Sequence, residues 1–116
     1  MPDRTRVMGF GGFNVHPKEV ETEIDAIPGV LESAVIGIPD ADFGEAVTAV
    51  AIRQEGAEIS EPEVLQALRS RLAKYKLPKR VHFVVELPRN AMGKVQKNLL
   101  RKQFSRDAAM DGHSVY

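Results

Sequence analysis

Residues 30–53 read VLESAVIGIPDADFGEAVTAVAIR. β-Branched residues dominate both ends of this stretch, whereas residues 39–44 are rich in the residue types that form turns. The pattern predicts two β-strands, over residues 30–38 and 46–53. Because the second of these is almost continuously apolar, we expect it to be buried on both faces of a sheet.

A helix is predicted immediately before the two strands. Pro17 stands where a helix can begin at no cost, because its missing N–H would have no partner in the first turn. Val20, Ile24 and Ile27 then recur at spacings of four and three, which places them on one helical face. The dipeptide Pro28-Gly29 ends the pattern.

Three further elements are predicted after the two strands. Ser60 and Glu63 have the spacing of a capping box, which marks a helix start, and apolar residues recur at helical spacing as far as Leu72. A third strand is predicted over residues 81–87, and a short basic helix begins near Asn98. With an extended glycine-containing hairpin before Pro17, the sequence predicts an α+β fold: a small sheet of about three strands with a preceding β-hairpin, flanked by helices.

Composition limits the classes of protein that this chain can represent. The 116 residues are 43% hydrophobic and 28% charged, as in an ordinary soluble domain, and they include no cysteine. Disulfides, thiolate metal sites and cysteine nucleophiles are thereby excluded, and a cytoplasmic location is favoured. No apolar run reaches the 18 residues of a transmembrane helix, so no membrane association is predicted.

The zero net charge hides an uneven distribution. Residues 1–68 hold 4 basic and 13 acidic side chains, whereas residues 69–106 hold 12 basic side chains and one acid. Either the two halves attract each other as solvated faces, or the basic half binds an anion such as a nucleotide, a coenzyme phosphate or an acidic partner surface. Nucleic acid is a third candidate, which the lack of interleaved aromatic residues and of any binding motif makes unfavourable.

Sequence motifs for catalysis are few. His16, His82 and His113 lack the spacing of metal ligands, so no metal site is predicted, and His82 is interpreted as structural. Neither a phosphate-binding P-loop nor a dinucleotide fingerprint is present. The dipeptide Gly93-Lys94, in a loop after a strand, offers a compact positive charge suited to phosphate or carboxylate oxygens.

The loop around Lys94 carries a family resemblance. Residues 88–101, PRNAMGKVQKNLLR, resemble the C-terminal motif of the adenylate-forming enzymes, which include the acyl-CoA synthetases. Three more segments match that family in order: residues 11–21, GGFNVHPKEVE; residues 34–45, AVIGIPDADFGE; and residues 72–78, LAKYKLP. Within the family, the residues of these motifs are most similar to those of malonyl- or methylmalonyl-CoA synthetases.

The resemblance implies how the chain is organised. Residues 10–105 correspond to the C-terminal domain of AMP-binding enzymes. Residues 1–9 match the interdomain hinge poorly and are interpreted as a hinge-side remnant, and residues 106–116 are predicted to be a frayed tail.

The resemblance also implies a reaction. In this family the C-terminal domain is a lid that rotates between two half-reactions, in which the acid is first joined to AMP and then transferred to CoA. Lys94 matches the lysine that bridges the substrate carboxylate and the nucleotide oxygens during adenylation. Acetylation inactivates such a lysine, because it removes the positive charge. Gly11, Gly12 and Asn14 match the segment that lines the tunnel for CoA.

Several basic residues match less specific positions. Arg69, Lys74 and Lys76 lie where coenzyme phosphates can be contacted in the family. Lys97 stands where many relatives carry arginine, and because the two side chains are not equivalent we assign it no role.

The ligands of the full enzyme follow from the same resemblance. ATP and CoA are its substrates, and the Mg²⁺ that accompanies ATP belongs to an N-terminal adenylation domain. That domain is the expected partner of this chain, whether covalently joined or separate, and without it we expect neither a bound cofactor nor catalysis. The alternative is a free-standing, non-catalytic regulatory or binding module derived from the same domain.

Overall fold

The computed structural model describes residues 8–10, 13–40 and 44–114. The elements in chain order are β1 (Met8–Phe10), β2 (Phe13–Val15), α1 (Pro17–Asp25), β3 (Val30–Asp40), β4 (Gly44–Arg53), α2 (Glu61–Leu68), β5 (Arg80–Phe83) and α3 (Lys97–Ser114). A short 3₁₀ turn, Lys74–Lys76, lies between α2 and β5. The predicted α+β class is confirmed.

The fourth strand is the centre of the sheet. β4 pairs with β3 in antiparallel fashion along nearly its whole length, from Val30 opposite Arg53 to Asp40 opposite Gly44. On its other side it pairs in parallel with β5. The hairpin of β1 and β2 joins the beginning of β4, where Phe10 lies opposite Gly44. The three predicted strands, β3, β4 and β5, and the preceding hairpin are thereby confirmed, and the hairpin extends the three strands to one five-stranded sheet.

Two hydrophobic clusters cover the two faces of the sheet. On one face, Val47 and Ala49 of β4 pack with the apolar sides of α1 and α2. On the other face, Val50 packs with Leu100 and Phe104 of α3. Residues 46–51 are all buried, as their nearly continuous apolarity predicts. The domain therefore has three layers, with α1 and α2 on one side of the sheet and α3 on the other.

Several elements have other bounds than the sequence patterns predict. β3 runs to Asp40 and β4 begins at Gly44, so each of these strands is two residues longer than predicted. β5 ends at Phe83 rather than at residue 87, because the chain then turns away: Val85 is 94% exposed, whereas Leu87 packs into the cluster around α3. α2 ends at Leu68, and Leu72 reaches the core from the turn that follows. α3 runs to Ser114 and is not short. The fraying of residues 106–116 remains a prediction.

The start of α2 confirms the predicted capping box. The backbone N–H of Glu63 donates to the Ser60 hydroxyl at 3.4 Å, and the backbone N–H of Ser60 donates to Glu63 Oε1 at 3.0 Å. Both bonds satisfy N–H groups that the helix itself leaves without partners. The next residue after Ser60, Glu61, then reaches out of α2 to β5.

Glu61 ties α2 to β5, and its removal should be measurable as a pH-dependent loss of stability. Its Oε2 accepts hydrogen bonds from the Val81 N–H at 2.8 Å and from Arg80 Nε at 3.0 Å. Burial acts to raise the pKa of this carboxyl, but the two hydrogen bonds outweigh it and the pKa is lowered. We expect Glu61→Gln to reduce the free energy of unfolding at neutral pH by about 1 kcal/mol.

The lowered pKa of Glu61 determines how this loss of stability depends on pH. A lowered carboxyl pKa stabilises the folded state above the ordinary glutamate pKa, and the stabilisation is lost as the pH falls through the lowered value. The free energies of unfolding of Glu61→Gln and of the unchanged chain, measured in urea at a series of pH values, should therefore converge in acid. Glu58→Gln, at an exposed position in the preceding loop, is the matched control and should leave the stability unchanged.

Candidate functional site

Lys94 lies in a tight turn between the sheet and α3. The turn, residues 89–95, is closed by an antiparallel bridge between Arg89 and Val95. The Asn90 N–H donates to the Lys94 carbonyl at 2.9 Å, and the Gly93 N–H donates to the Asn90 carbonyl at 2.9 Å. Val95 anchors one end in the cluster around α3, whereas the Lys94 side chain is exposed. We call residues 89–95 the Lys94 turn.

The Asn90 side chain fixes the backbone on both sides of Gly93. Its Oδ1 accepts hydrogen bonds from the N–H groups of Met92 at 2.9 Å and of Lys94 at 3.0 Å. Gly93 has a φ of +83°, which other residues adopt only with strain. Asn90 and Gly93 thus hold the backbone of Lys94 in one conformation, and its flexible side chain projects from a fixed point.

Arg89 fastens the Lys94 turn to the sheet. Its Nη1 donates to the Gly93 carbonyl at 3.0 Å, and its Nη2 forms an ion pair with Glu32 of β3. One guanidinium therefore spans the turn and reaches the neighbouring strand. Both side chains are about one-third exposed, so solvent weakens the ion pair.

Lys97, to which the sequence assigned no role, is buried. It is the first residue of α3, and its side chain and that of Glu21 in α1 are each only 1% exposed. Lys97 Nζ lies 2.6 Å from Glu21 Oε2. The same oxygen accepts a hydrogen bond from the Val35 N–H of β3 at 2.8 Å. The residue three positions after Lys94 is therefore fixed by a buried ion pair.

The residues predicted to meet coenzyme phosphates lie away from the Lys94 turn. Lys76 Nζ lies 2.7 Å from Glu19 Oε2 of α1, and this hydrogen bond is the main reason that the pKa of Lys76 is raised. Lys74, in the same 3₁₀ turn, is exposed, and Arg69 is exposed at the end of α2. These residues belong to the side of the sheet that α1 and α2 cover, whereas the Lys94 turn is anchored on the α3 side. The structure does not bring the two groups together.

The predicted tunnel segment is only partly described. Gly11 and Gly12 lie outside the described residues. Asn14 lies in β2, and its backbone faces Gly9 of β1. The assignment of all three to the CoA tunnel remains a prediction.

The described ranges, 8–10, 13–40 and 44–114, contain no group of three or more His, Cys, Asp or Glu side chains that could hold a metal ion. His82 of β5 stacks on Phe104 with ring centroids 4.5 Å apart, a packing role in keeping with its structural interpretation. None of the described helices combines the length and apolarity needed to cross a bilayer.

Comparison with known proteins identifies the family. A family model for the AMP-binding enzyme C-terminal domain matches residues 19–94, which end at Lys94. The chain belongs to this family. The resemblance that the four sequence motifs carry is thereby confirmed.

The relatives of this AMP-binding C-terminal domain include CoA ligases. The chain is 46% identical over 95 residues to the long-chain-fatty-acid–CoA ligase FadD13 of Mycobacterium tuberculosis, with 82% of the chain and 19% of FadD13 covered. It is 47% identical over 97 residues to the putative acyl–CoA ligase YdaB of Bacillus subtilis, with 84% and 19% covered. The chain thus spans about a fifth of the length of these relatives.

Solved structures agree with the sequence comparison. The crystal structure of apo MatB from Rhodopseudomonas palustris aligns with a TM-score of 0.84 at 63% identity, covering 85% of this chain and 20% of MatB. A second MatB structure, with ATP bound, aligns with the same TM-score over 87% of the chain. The domain seen here is therefore the C-terminal domain fold of these larger proteins.

Proposed function

We propose that this chain acts as the lid domain of an ATP-dependent acyl-CoA synthetase and that Lys94 is its catalytic residue for adenylation. The observation that carries this proposal is the Lys94 turn itself: an exposed ammonium on a backbone that Asn90 and Gly93 hold in one conformation. A fixed backbone and a solvent-facing ammonium suit a side chain that must enter an active site on another domain. The position of Lys94 within the family motif supports the same role.

The chemistry of adenylation explains the need for a positioned cation. A carboxylate oxygen attacks the α-phosphate of ATP, the bond to pyrophosphate breaks, and the acyl group is left joined to AMP. Negative charge grows on the phosphate oxygens in the transition state. An ammonium that is already placed beside them stabilises that charge without reorganisation, which is the form of catalysis that contributes most in closed sites.

CoA is proposed to meet the opposite side of the domain. Gly11, Gly12 and Asn14 would line its tunnel, and the exposed Arg69 and Lys74 would contact its phosphates. Lys76 shares a hydrogen-bonded ion pair with Glu19, so that its charge is available to a phosphate only if that pair opens. The separation of Arg69, Lys74 and Lys76 from the Lys94 turn suits a lid that presents different surfaces in its two half-reactions.

The remaining components are assigned to the rest of the enzyme. We place ATP, its Mg²⁺ and the acid in an N-terminal adenylation domain, as the membership of this chain in the AMP-binding enzyme family implies. The identity to MatB, a malonyl-CoA synthetase, supports the predicted subfamily. The likeness to a long-chain-fatty-acid–CoA ligase supports a role in fatty acid metabolism, and the absence of cysteine supports a cytoplasmic location.

A chimeric enzyme tests the proposal. It joins the N-terminal part of MatB to this chain in place of MatB's own C-terminal fifth, and it is assayed with malonate, ATP and CoA. We expect malonyl-AMP and then malonyl-CoA to form, whereas the N-terminal part alone should be much slower in both steps. A folded chimera as slow as the N-terminal part alone would contradict a catalytic lid and support a non-catalytic regulatory module instead.

Gly93 and Gly56 form a matched pair that separates stability from positioning. Their φ angles are +83° and +79°, and a Cβ on either would contact nothing within 4 Å. We expect Gly93→Ala and Gly56→Ala each to lower the free energy of unfolding by about 1 kcal/mol, since only the backbone conformation is strained. In the chimera, only Gly93→Ala should slow adenylation, by roughly tenfold. Equal adenylation rates in the two variants would contradict the need for a fixed Lys94 backbone.

A further inference from the structure

The buried ion pair of Glu21 and Lys97 lies at an edge of the sheet. Among the described strands, β3 is an edge strand, and its Val35 N–H points away from β4. Glu21 Oε2 accepts that N–H at 2.8 Å and also lies 2.6 Å from Lys97 Nζ. One carboxylate oxygen therefore contacts an edge N–H, which would otherwise need another partner, and the ammonium of α3.

The pair links the two faces of the domain. Glu21 belongs to α1, which packs on one face of the sheet, and Lys97 is the first residue of α3, which packs on the other. Their side chains meet around the edge of β3. The start of α3, and with it the end of the Lys94 turn, is thereby fixed relative to α1.

Stability alone does not account for such a pair. Taking two charges out of water costs free energy that their attraction repays only in part, and apolar side chains of similar volume often serve as well or better. What an ion pair adds is position, because two opposite charges buried 2.6 Å apart hold their side chains together and separate only at a large cost in free energy. The other contacts of the turn are weaker candidates for this role: Asn90 acts within the turn, and the ion pair of Arg89 and Glu32 is part-exposed.

We propose that Glu21 and Lys97 are positioning residues for Lys94. The pair sets the point at which α3 begins, and so the direction in which the Lys94 turn carries its ammonium toward the acyl-adenylate site. This inference rests on the proposed role of Lys94 in adenylation. Because a displacement of about 1 Å can cost up to 100-fold in rate, a loosened pair should affect the half-reaction that uses Lys94.

The test uses the chimeric enzyme with both charges removed together. Glu21→Gln/Lys97→Met keeps the side-chain volumes similar and leaves no unpaired buried charge, so the domain should fold. We expect its kcat for adenylation to fall by roughly 10- to 100-fold, with thioester formation from supplied malonyl-AMP within about twofold of the unchanged enzyme. Lys97→Arg is a bulkier replacement, but it keeps a positive charge that can pair with Glu21, so it should retain more of the adenylation rate than the double variant does.

A second ion pair supplies the control. Glu61→Gln/Arg80→Met removes a pair that joins α2 to β5 and has no contact with the Lys94 turn, and it should leave both half-reactions unchanged. Normal adenylation in Glu21→Gln/Lys97→Met would overturn the inference. So would an equal fall of both half-reactions, since that indicates a general structural role.

An NMR readout separates this inference from the proposed function. Amide chemical shifts of residues 90–95 in the 116-residue chain should change in Glu21→Gln/Lys97→Met and stay unchanged in Glu61→Gln/Arg80→Met. If Lys94→Ala left adenylation unchanged, the proposed function would fail, and the amide shifts would still decide whether the pair positions the turn. Unchanged shifts in both variants would overturn the inference.

Discussion

Lys94→Ala in the chimeric enzyme is expected to lower the adenylation rate by about 1,000-fold. Alanine removes the ammonium and leaves the backbone of the turn, whose hydrogen bonds to Asn90 do not involve the Lys94 side chain. The transition state for attack on the α-phosphate then lacks a cation that solvent cannot replace in a closed site. The measurement is pyrophosphate release with malonate and ATP in the absence of CoA.

The second half-reaction provides the internal control. When malonyl-AMP and CoA are supplied, Lys94→Ala should form malonyl-CoA at close to the normal rate, because Lys94 is proposed to act only in adenylation. Lys102→Ala removes another exposed lysine, in the middle of α3, and should leave both half-reactions unchanged. An equal loss of both half-reactions in Lys94→Ala would contradict this division of labour.

The elements of this fold that depend on local chemistry could be predicted from the sequence. The capping box of Ser60 and Glu63 uses residues three positions apart, and the nearly continuous apolar run of β4 reflects its burial on both faces. The end of β5 could not be predicted, because residues 84–87 keep an apolar pattern beyond Phe83, the last residue of the strand. There the chain turns to place Leu87 under α3, a contact that no neighbouring residue specifies.

The uneven charge distribution has a structural explanation. Each of five ion pairs in the described residues joins an acid from the first 68 residues to a base from residues 69–106. The partners are Glu23 with Arg71, Glu19 with Lys76, Glu61 with Arg80, Glu32 with Arg89, and Glu21 with Lys97. Attraction between the two halves and anion binding by the basic half are therefore compatible. Many basic side chains pair with acids of the first half, while the exposed Lys74 and Lys94 remain suited to anions.

The burial of Lys97 had a signal in the sequence. Lys97 lies three and seven residues before Leu100 and Phe104, so a helix places it on their buried face. Glu21 stands in the same way among the apolar positions of α1, next to Val20 and three residues before Ile24. Two opposite charges within two apolar stripes predict a buried pair, but only the tertiary fold brings the stripes to the same edge of the sheet.

Lys97→Met alone is expected to lower the free energy of unfolding of the 116-residue chain by about 3 kcal/mol. Methionine fills the space of the lysine stem, but the buried carboxylate of Glu21 loses the ammonium that balances its charge. Adding Glu21→Gln should restore most of the loss, because an amide can still accept the Val35 N–H and carries no charge. Urea unfolding of the two variants measures the difference.

An exposed ion pair provides the reference for the stability loss of Lys97→Met. Arg71 Nη1 and Glu23 Oε1 are 3.8 Å apart and both side chains are more than one-third exposed, so Arg71→Met should cost less than about 1 kcal/mol. If Lys97→Met cost no more than Arg71→Met, the ion pair would be no better held than a surface contact and could not fix α3. If instead the double variant recovers the stability but not the adenylation rate, the two charges are retained for the direction they give to Lys94 and not for the free energy of folding.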